Sequence, residues 1–123
     1  MQRSTPYLAI LLLFAGPLAA TGWAQGAAKI ADCQIDSGGE LVFKGKCSFT
    51  SDGSTGSFSL ASQTGQGALF GSILVVSVSI IERGVAEVRG LTRDGINSRW
   101  GEAKRSAQQP ACWVGSDFKV CAW

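Results

Sequence analysis

The 123-residue sequence contains no histidine. That absence removes the side chain that titrates near neutral pH and most often serves as a general base. The four cysteines stand far apart, with no C-x-x-C pair, which argues against a zinc site and against an exposed redox couple. No Leu-rich stretch with helical spacing occurs beyond residue 24, so a helical domain is not expected. The glycines fall in turns and none opens a helix, which excludes a phosphate-cradling loop. An excess of one charge is missing too. Eleven Lys and Arg face nine Asp and Glu, and removal of Arg3 with a leader leaves ten against nine. That balance gives no electrostatic case for a nucleic-acid partner or an anionic membrane surface.

What is present at the front is an export signal. Met1 to Pro6 is short and polar and carries Arg3, Tyr7 to Leu18 is almost wholly apolar, and small residues follow. Gly22 and Ala24 occupy the two positions a signal peptidase reads, so cleavage after residue 24 is expected; a cut after Ala20 is the weaker option. The apolar run is too short to span a bilayer comfortably. Residues 25–123 then make a single domain, with no membrane span. A chain of about a hundred residues hides only about two-thirds of its unfolded surface, so its core needs reinforcement.

The remainder reads as strands. CQID and ELVF flank Ser37-Gly38-Gly39 as the arms of a hairpin, and Cys47 to Thr50 is expected as a third strand. In GSFSLAS, Phe58 and Leu60 share a face. Ser72 to Ile81 is expected to be the longest strand, with Leu74, Val76, Val78 and Ile80 on one side. Glu82-Arg83-Gly84 turns the chain back through VAEVRGL, with Ala86 and Val88 inward. Thr92 to Gly95 carries a hairpin signal, and INSRWGEAKR is expected to be a strand rather than a helical turn. Short strands with glycine-rich turns indicate an all-β fold, a small antiparallel barrel or sandwich.

An even cysteine count in a short exported chain reads as a disulfide framework. A two-residue turn at Ser116-Asp117 in ACWVGSDFKVCAW sets Cys112 opposite Cys121 on a non-hydrogen-bonded pair, where facing side chains sit closest. A turn at Gly115-Ser116 would instead set Cys112 opposite Lys119. Cys33 and Cys47 flank the first hairpin and are expected to pair with each other. Three connectivities are formally open, and the local one is preferred.

Candidate chemistry is sparse. Ser116-Asp117-Phe118-Lys119 fits S-x-x-K, but the S-D-N and K-T-G elements that penicillin-recognising enzymes require are absent. No two carboxylates are marked as a glycosidase pair. No catalytic, cofactor-binding or metal-ligating residue is therefore assigned. Trp100, Trp113 and Trp123 are expected to pack in the core or at its rim, with Trp123 capping the barrel mouth. Arg99, Lys104 and Arg105 make the most basic stretch, which reads as a charged outer strand face. If a partner is bound, Arg99, Trp100 and Lys104, or the Ser116-Asp117 turn, are the candidate contacts.

Cys33, Asp36, Gly39, Phe43, Gly45, Cys47 and Phe49, then GSFSL from Gly56, with Cys112-Trp113 and Cys121-Ala122-Trp123, resemble the ends of a group of small exported bacterial proteins of unknown function. The middle departs, since those proteins carry histidines there. The resemblance implies a Gram-negative periplasmic setting and transfers no activity. Trp100-Gly101-Glu102-Ala103 is loosely similar to a W-x-G-x-E-A element of the periplasmic lysozyme inhibitors, small disulfide-bonded β-barrels, although the preceding S-G-A-x-Y element is missing. The resulting expectation is a non-enzymatic periplasmic or secreted β-domain without a cofactor that binds a protein or a cell-wall component through loops at one barrel end. The alternative is an envelope structural or assembly protein without a soluble ligand.

Overall fold

A computed structural model describes residues 27–123; the expected export signal, 1–24, lies outside the described residues. Alternation of apolar and polar residues drives eight strands to bury one face each: β1 Lys29–Ser37, β2 Glu40–Ser51, β3 Phe58–Ser62, β4 Ile73–Glu82, β5 Val85–Thr92, β6 Asn97–Arg105, β7 Cys112–Val114 and β8 Phe118–Ala122. Each strand pairs antiparallel with the next, and β8 returns to β1, so the sheet closes into a barrel. Closure removes the unpaired edges that an open sheet of this size would present.

The interior is packed with side chains. Ile35, Leu60, Val76, Val78, Val88 and Val120 are fully buried, as are Ala86 and Ala103, which face each other across β5 and β6. The outer faces carry Lys46–Asp32, Lys119–Asp36 and an Arg89–Glu87–Arg99 cluster. This apolar-in, charged-out arrangement is the reverse of a lipid-facing barrel.

Three expectations are corrected. Cys47 to Thr50 is not a separate strand but the continuation of β2, which at 12 residues is longer than β4 at 10. Lys44, Gly45 and Lys46 resemble a break, yet the lysines face outward and Gly45 faces Cys33 inside. The Phe43 ring lies 3.8 Å from where a Gly45 Cβ would stand. Trp123 does not cap the mouth. Ala122 lines it, and the alternation sends Trp123 to the outer face, where it is 57% exposed.

Both disulfides form with the local connectivity, Cys33–Cys47 and Cys112–Cys121. Cys112 faces Cys121 directly, Trp113 faces Val120 and Val114 faces Lys119, the register of a turn at Ser116-Asp117. The two bridges are placed differently. Cys33 and Cys47 are core residues joined diagonally, since Cys33 faces Gly45 and Cys47 faces Ala31. Cys112–Cys121 lies on the other side of its hairpin, while Trp113 and Val120 between them enter the core. Both bridges fit an oxidising compartment outside the cytoplasm.

Candidate functional site

The β1–β2, β3–β4, β5–β6 and β7–β8 connections gather at one end of the barrel, and that end is closed. The ladder between β5 and β6 slips at Val88/Arg89: Gly101 faces Val88 and Arg99 faces Arg89, leaving Trp100 as the extra residue of a bulge. Simple alternation from inward Ala103 would point Trp100 outward; the bulge re-aims it into the barrel. There its ring meets Phe118 edge-on at 5.8 Å and Phe70 at 6.3 Å. Such edge-to-face contacts suit the aromatic quadrupole. Leu69, from the β3–β4 connection, is buried beside this plug.

The β7–β8 turn projects from the same end. The Gly115 N–H donates to the Phe118 carbonyl at 2.8 Å, and the Gly38 N–H donates to the Asp117 carbonyl at 2.7 Å. Ser116 and Asp117 are exposed. Neither has a positive φ, so the turn is not of the primed types usual in two-residue hairpins. Gly115 is needed for a different reason: a Cβ there would stand 2.1 Å from the Phe118 ring.

Two shallow hollows of about 210 Å³ flank this turn. One is lined by Asp36, Ser116, Asp117 and Lys119, the other by Ser37, Arg99, Trp100 and Asp117. Four of the five candidate contacts, Arg99, Trp100, Ser116 and Asp117, therefore meet at one end. Arg99 is positioned by its Nε, 3.2 Å from Glu87 Oε1, the oxygen that also accepts from Arg89 at 2.7 Å. Trp100 contributes mainly as packing. Lys104 does not join them: it faces Val85 and Val114 near the opposite end.

The opposite end is open. A cavity of about 370 Å³ lies among the β2–β3, β4–β5 and β6–β7 connections. Its apolar lining includes Phe49, Phe58, Ile80 and Trp113, with the Phe49 and Phe58 rings stacked at 5.0 Å. The charged residues lining it are Arg83 and Arg105, and no Asp or Glu takes part. Arg105 is held in place: its Nε donates to the Pro110 carbonyl at 2.8 Å and its guanidinium lies 5.9 Å from the Trp113 ring. The buried Ser57 Oγ accepts the Ile80 N–H at 2.8 Å and shares a hydrogen bond with Thr55 on the rim.

The sequence reading missed most of this mouth. Arg83 reads as a turn residue and Phe58 as core; only closure of the barrel sets them beside Arg105 and Trp113. Leu69 and Phe70 were likewise missed, although an apolar Ala-Leu-Phe triplet inside a glycine-rich loop was a usable signal. Among the described residues, no group of three or more His, Cys, Asp or Glu side chains is placed to hold a metal ion. No protein-family model, no curated protein and no solved structure matches the chain.

Proposed function

We propose that the protein is a non-enzymatic periplasmic or secreted binding protein that holds a protein or a cell-wall component through the turns at its closed end. Inhibition of a lysozyme is the sharpest form of this reading. The observation that carries it is the support given to the Ser116-Asp117 turn. The Cys112–Cys121 bridge closes the base of the hairpin, Phe118 packs over Gly115, and Gly38 ties the tip to the neighbouring turn. A turn fixed in this way loses little conformational entropy when a partner docks. The plug of Phe70, Trp100 and Phe118 closes the barrel beneath it and favours a macromolecular surface over a buried small ligand. The export signal read from residues 1–24 and the two disulfides support the location.

The test adds purified, oxidised protein to lysozymes of several types and follows lysis of cell-wall suspensions. Dose-dependent slowing is expected, relieved by Ser116→Arg and by Asp117→Arg. No slowing with any lysozyme type discards the inhibitor form. Labelling of Ser116 by a serine-reactive probe overturns the non-enzymatic reading itself.

A further inference from the structure

We infer that the open mouth is a second binding site, independent of the closed end, for a small amphiphilic anion: an apolar chain or ring bearing one carboxylate. The cavity of about 370 Å³ falls within the size range of small-molecule sites. Its composition selects the ligand class. Phe49, Phe58, Ile80 and Trp113 offer an apolar, aromatic wall, while both charged lining residues are arginines.

Elsewhere on the barrel, Lys29, Lys44, Arg93 and Lys104 stand outside any ion pair among the described residues, but none of them lines the cavity, and four other cations are paired. Arg89 and Arg99 share Glu87, Lys46 pairs with Asp32, and Lys119 pairs with Asp36. Neither Arg83 nor Arg105 takes part in an ion pair among the described residues. Two guanidinium groups lining a cavity of mixed polar and apolar surface, with no carboxylate among its lining residues, create a positive potential that a bound anion would relieve. A purely structural role for Arg105, clamping the β6–β7 connection, uses Nε alone. A guanidinium carries five N–H donors in a fixed fork, and the outer edge matches a carboxylate. The Pro110 carbonyl and the Trp113 ring immobilise that fork before a ligand arrives, which lowers the entropic cost of binding. The Thr55 hydroxyl adds a polar contact on the rim. A neutral chain would fill the wall but leave the arginines unanswered, and a cationic one would be repelled.

Decanoate, 1-decanol and decyltrimethylammonium share one chain and differ in head group. Each is titrated below its micelle concentration into the oxidised protein, followed by tryptophan fluorescence and by calorimetry. Decanoate is expected to bind one to one, at least tenfold more tightly than either congener. Arg83→Gln, at an exposed turn, is expected to weaken decanoate about tenfold. Thr55→Glu sets a competing carboxylate on the rim and is expected to weaken it at least as much. Circular dichroism checks that both variants keep the fold. The proposal is overturned by no saturable decanoate binding at millimolar concentration, by equal binding of decanol, or by folded variants that bind like the parent. Ser116→Arg is expected to leave decanoate binding unchanged, which separates this site from the closed end; an effect of that substitution overturns the independence of the two sites.

Discussion

The indole Nε1 of Trp100 lies 2.8 Å from the position a Cβ would occupy on Gly90. Gly90 therefore provides the floor on which the closed end is built, and it does so through the absence of a side chain rather than through an unusual backbone. Its φ is not in the positive range, so alanine is conformationally permitted there. Relief of unfolded-chain entropy alone would make Gly90→Ala stabilising by about 0.4–1 kcal/mol. Overpacking against the ring works in the other direction, at about 1–3 kcal/mol. The steric effect is expected to win, with a net loss of about 1–2 kcal/mol in denaturant unfolding and an altered tryptophan emission. A gain in stability would show that Trp100 moves aside at little cost.

The two bridges are expected to be unequal. They span separations of 14 and 9 residues, for which the chain-entropy relation gives about 3.0 and 2.7 kcal/mol. That difference is small. All four cysteines are buried, so contact with the main core decides the order: Cys33 and Cys47 pack within the core cluster, whereas Cys112 and Cys121 lie outside that cluster. Replacing the first pair by alanine also removes packed sulfur from the interior. It is expected to cost about 1 kcal/mol more than replacing the second pair, measured as the difference in unfolding free energy between the double variants. Equal losses would mean that the inner bridge acts only as a tether.

Ser57→Ala is expected to destabilise by about 1–2 kcal/mol. The hydroxyl is the acceptor for the Ile80 N–H at 2.8 Å, and the side chain is small enough that packing losses are minor. The cost arises from a backbone donor left without a partner in a partly buried place. Amide exchange at Ile80 reads this directly and should accelerate in the variant more than at Val76 or Val78.

Asp117→Ala is expected to leave stability within about 0.5 kcal/mol of the parent. The tie between the two turns uses the Asp117 backbone carbonyl, not its carboxylate, and the side chain is exposed. Thermal unfolding checks this. A large loss would mean that the carboxylate supports the turn, and the partner-binding variants at this site would then need reinterpretation.

The strand register of the last hairpin was legible because two cysteines and a two-residue turn leave little freedom: one slip sets Cys112 against a lysine. Inward positions such as Val76, Val78, Ala86 and Val88 were legible for a similar reason, since a period of two assigns every second residue to one face. That Trp100 packs against the core follows from its residue type, but the way the strand turns it inward was not legible. It depends on a one-residue bulge opposite Val88/Arg89, and a bulge has no periodic signature in a strand that already contains Gly101. The continuity of β2 was hidden by Lys44-Gly45-Lys46, whose composition suits a turn as well as a strand with two outward lysines. The mouth was hidden more deeply. Phe58 and Ile80 come from β3 and β4, Arg105 and Trp113 from β6 and β7, and only closure of the sheet brings the two pairs together. Choosing a barrel over a sandwich was the step that residue patterns left open.

The seam between β1 and β8, where Cys33 meets Ala122 and Ser37 meets Phe118, joins the most distant strands of the sheet by hydrogen bonds, packing and the Lys119–Asp36 ion pair, without a covalent link. Both cross-links are confined to neighbouring strands and can form while the sheet is still an unrolled ribbon. Oxidation is therefore compatible with an open sheet, and it stiffens two hairpins that the seam alone joins directly to each other. The same join gives the finished molecule a line along which it can part without breaking a covalent bond, and a ruptured copy would present two complementary borders to its neighbours.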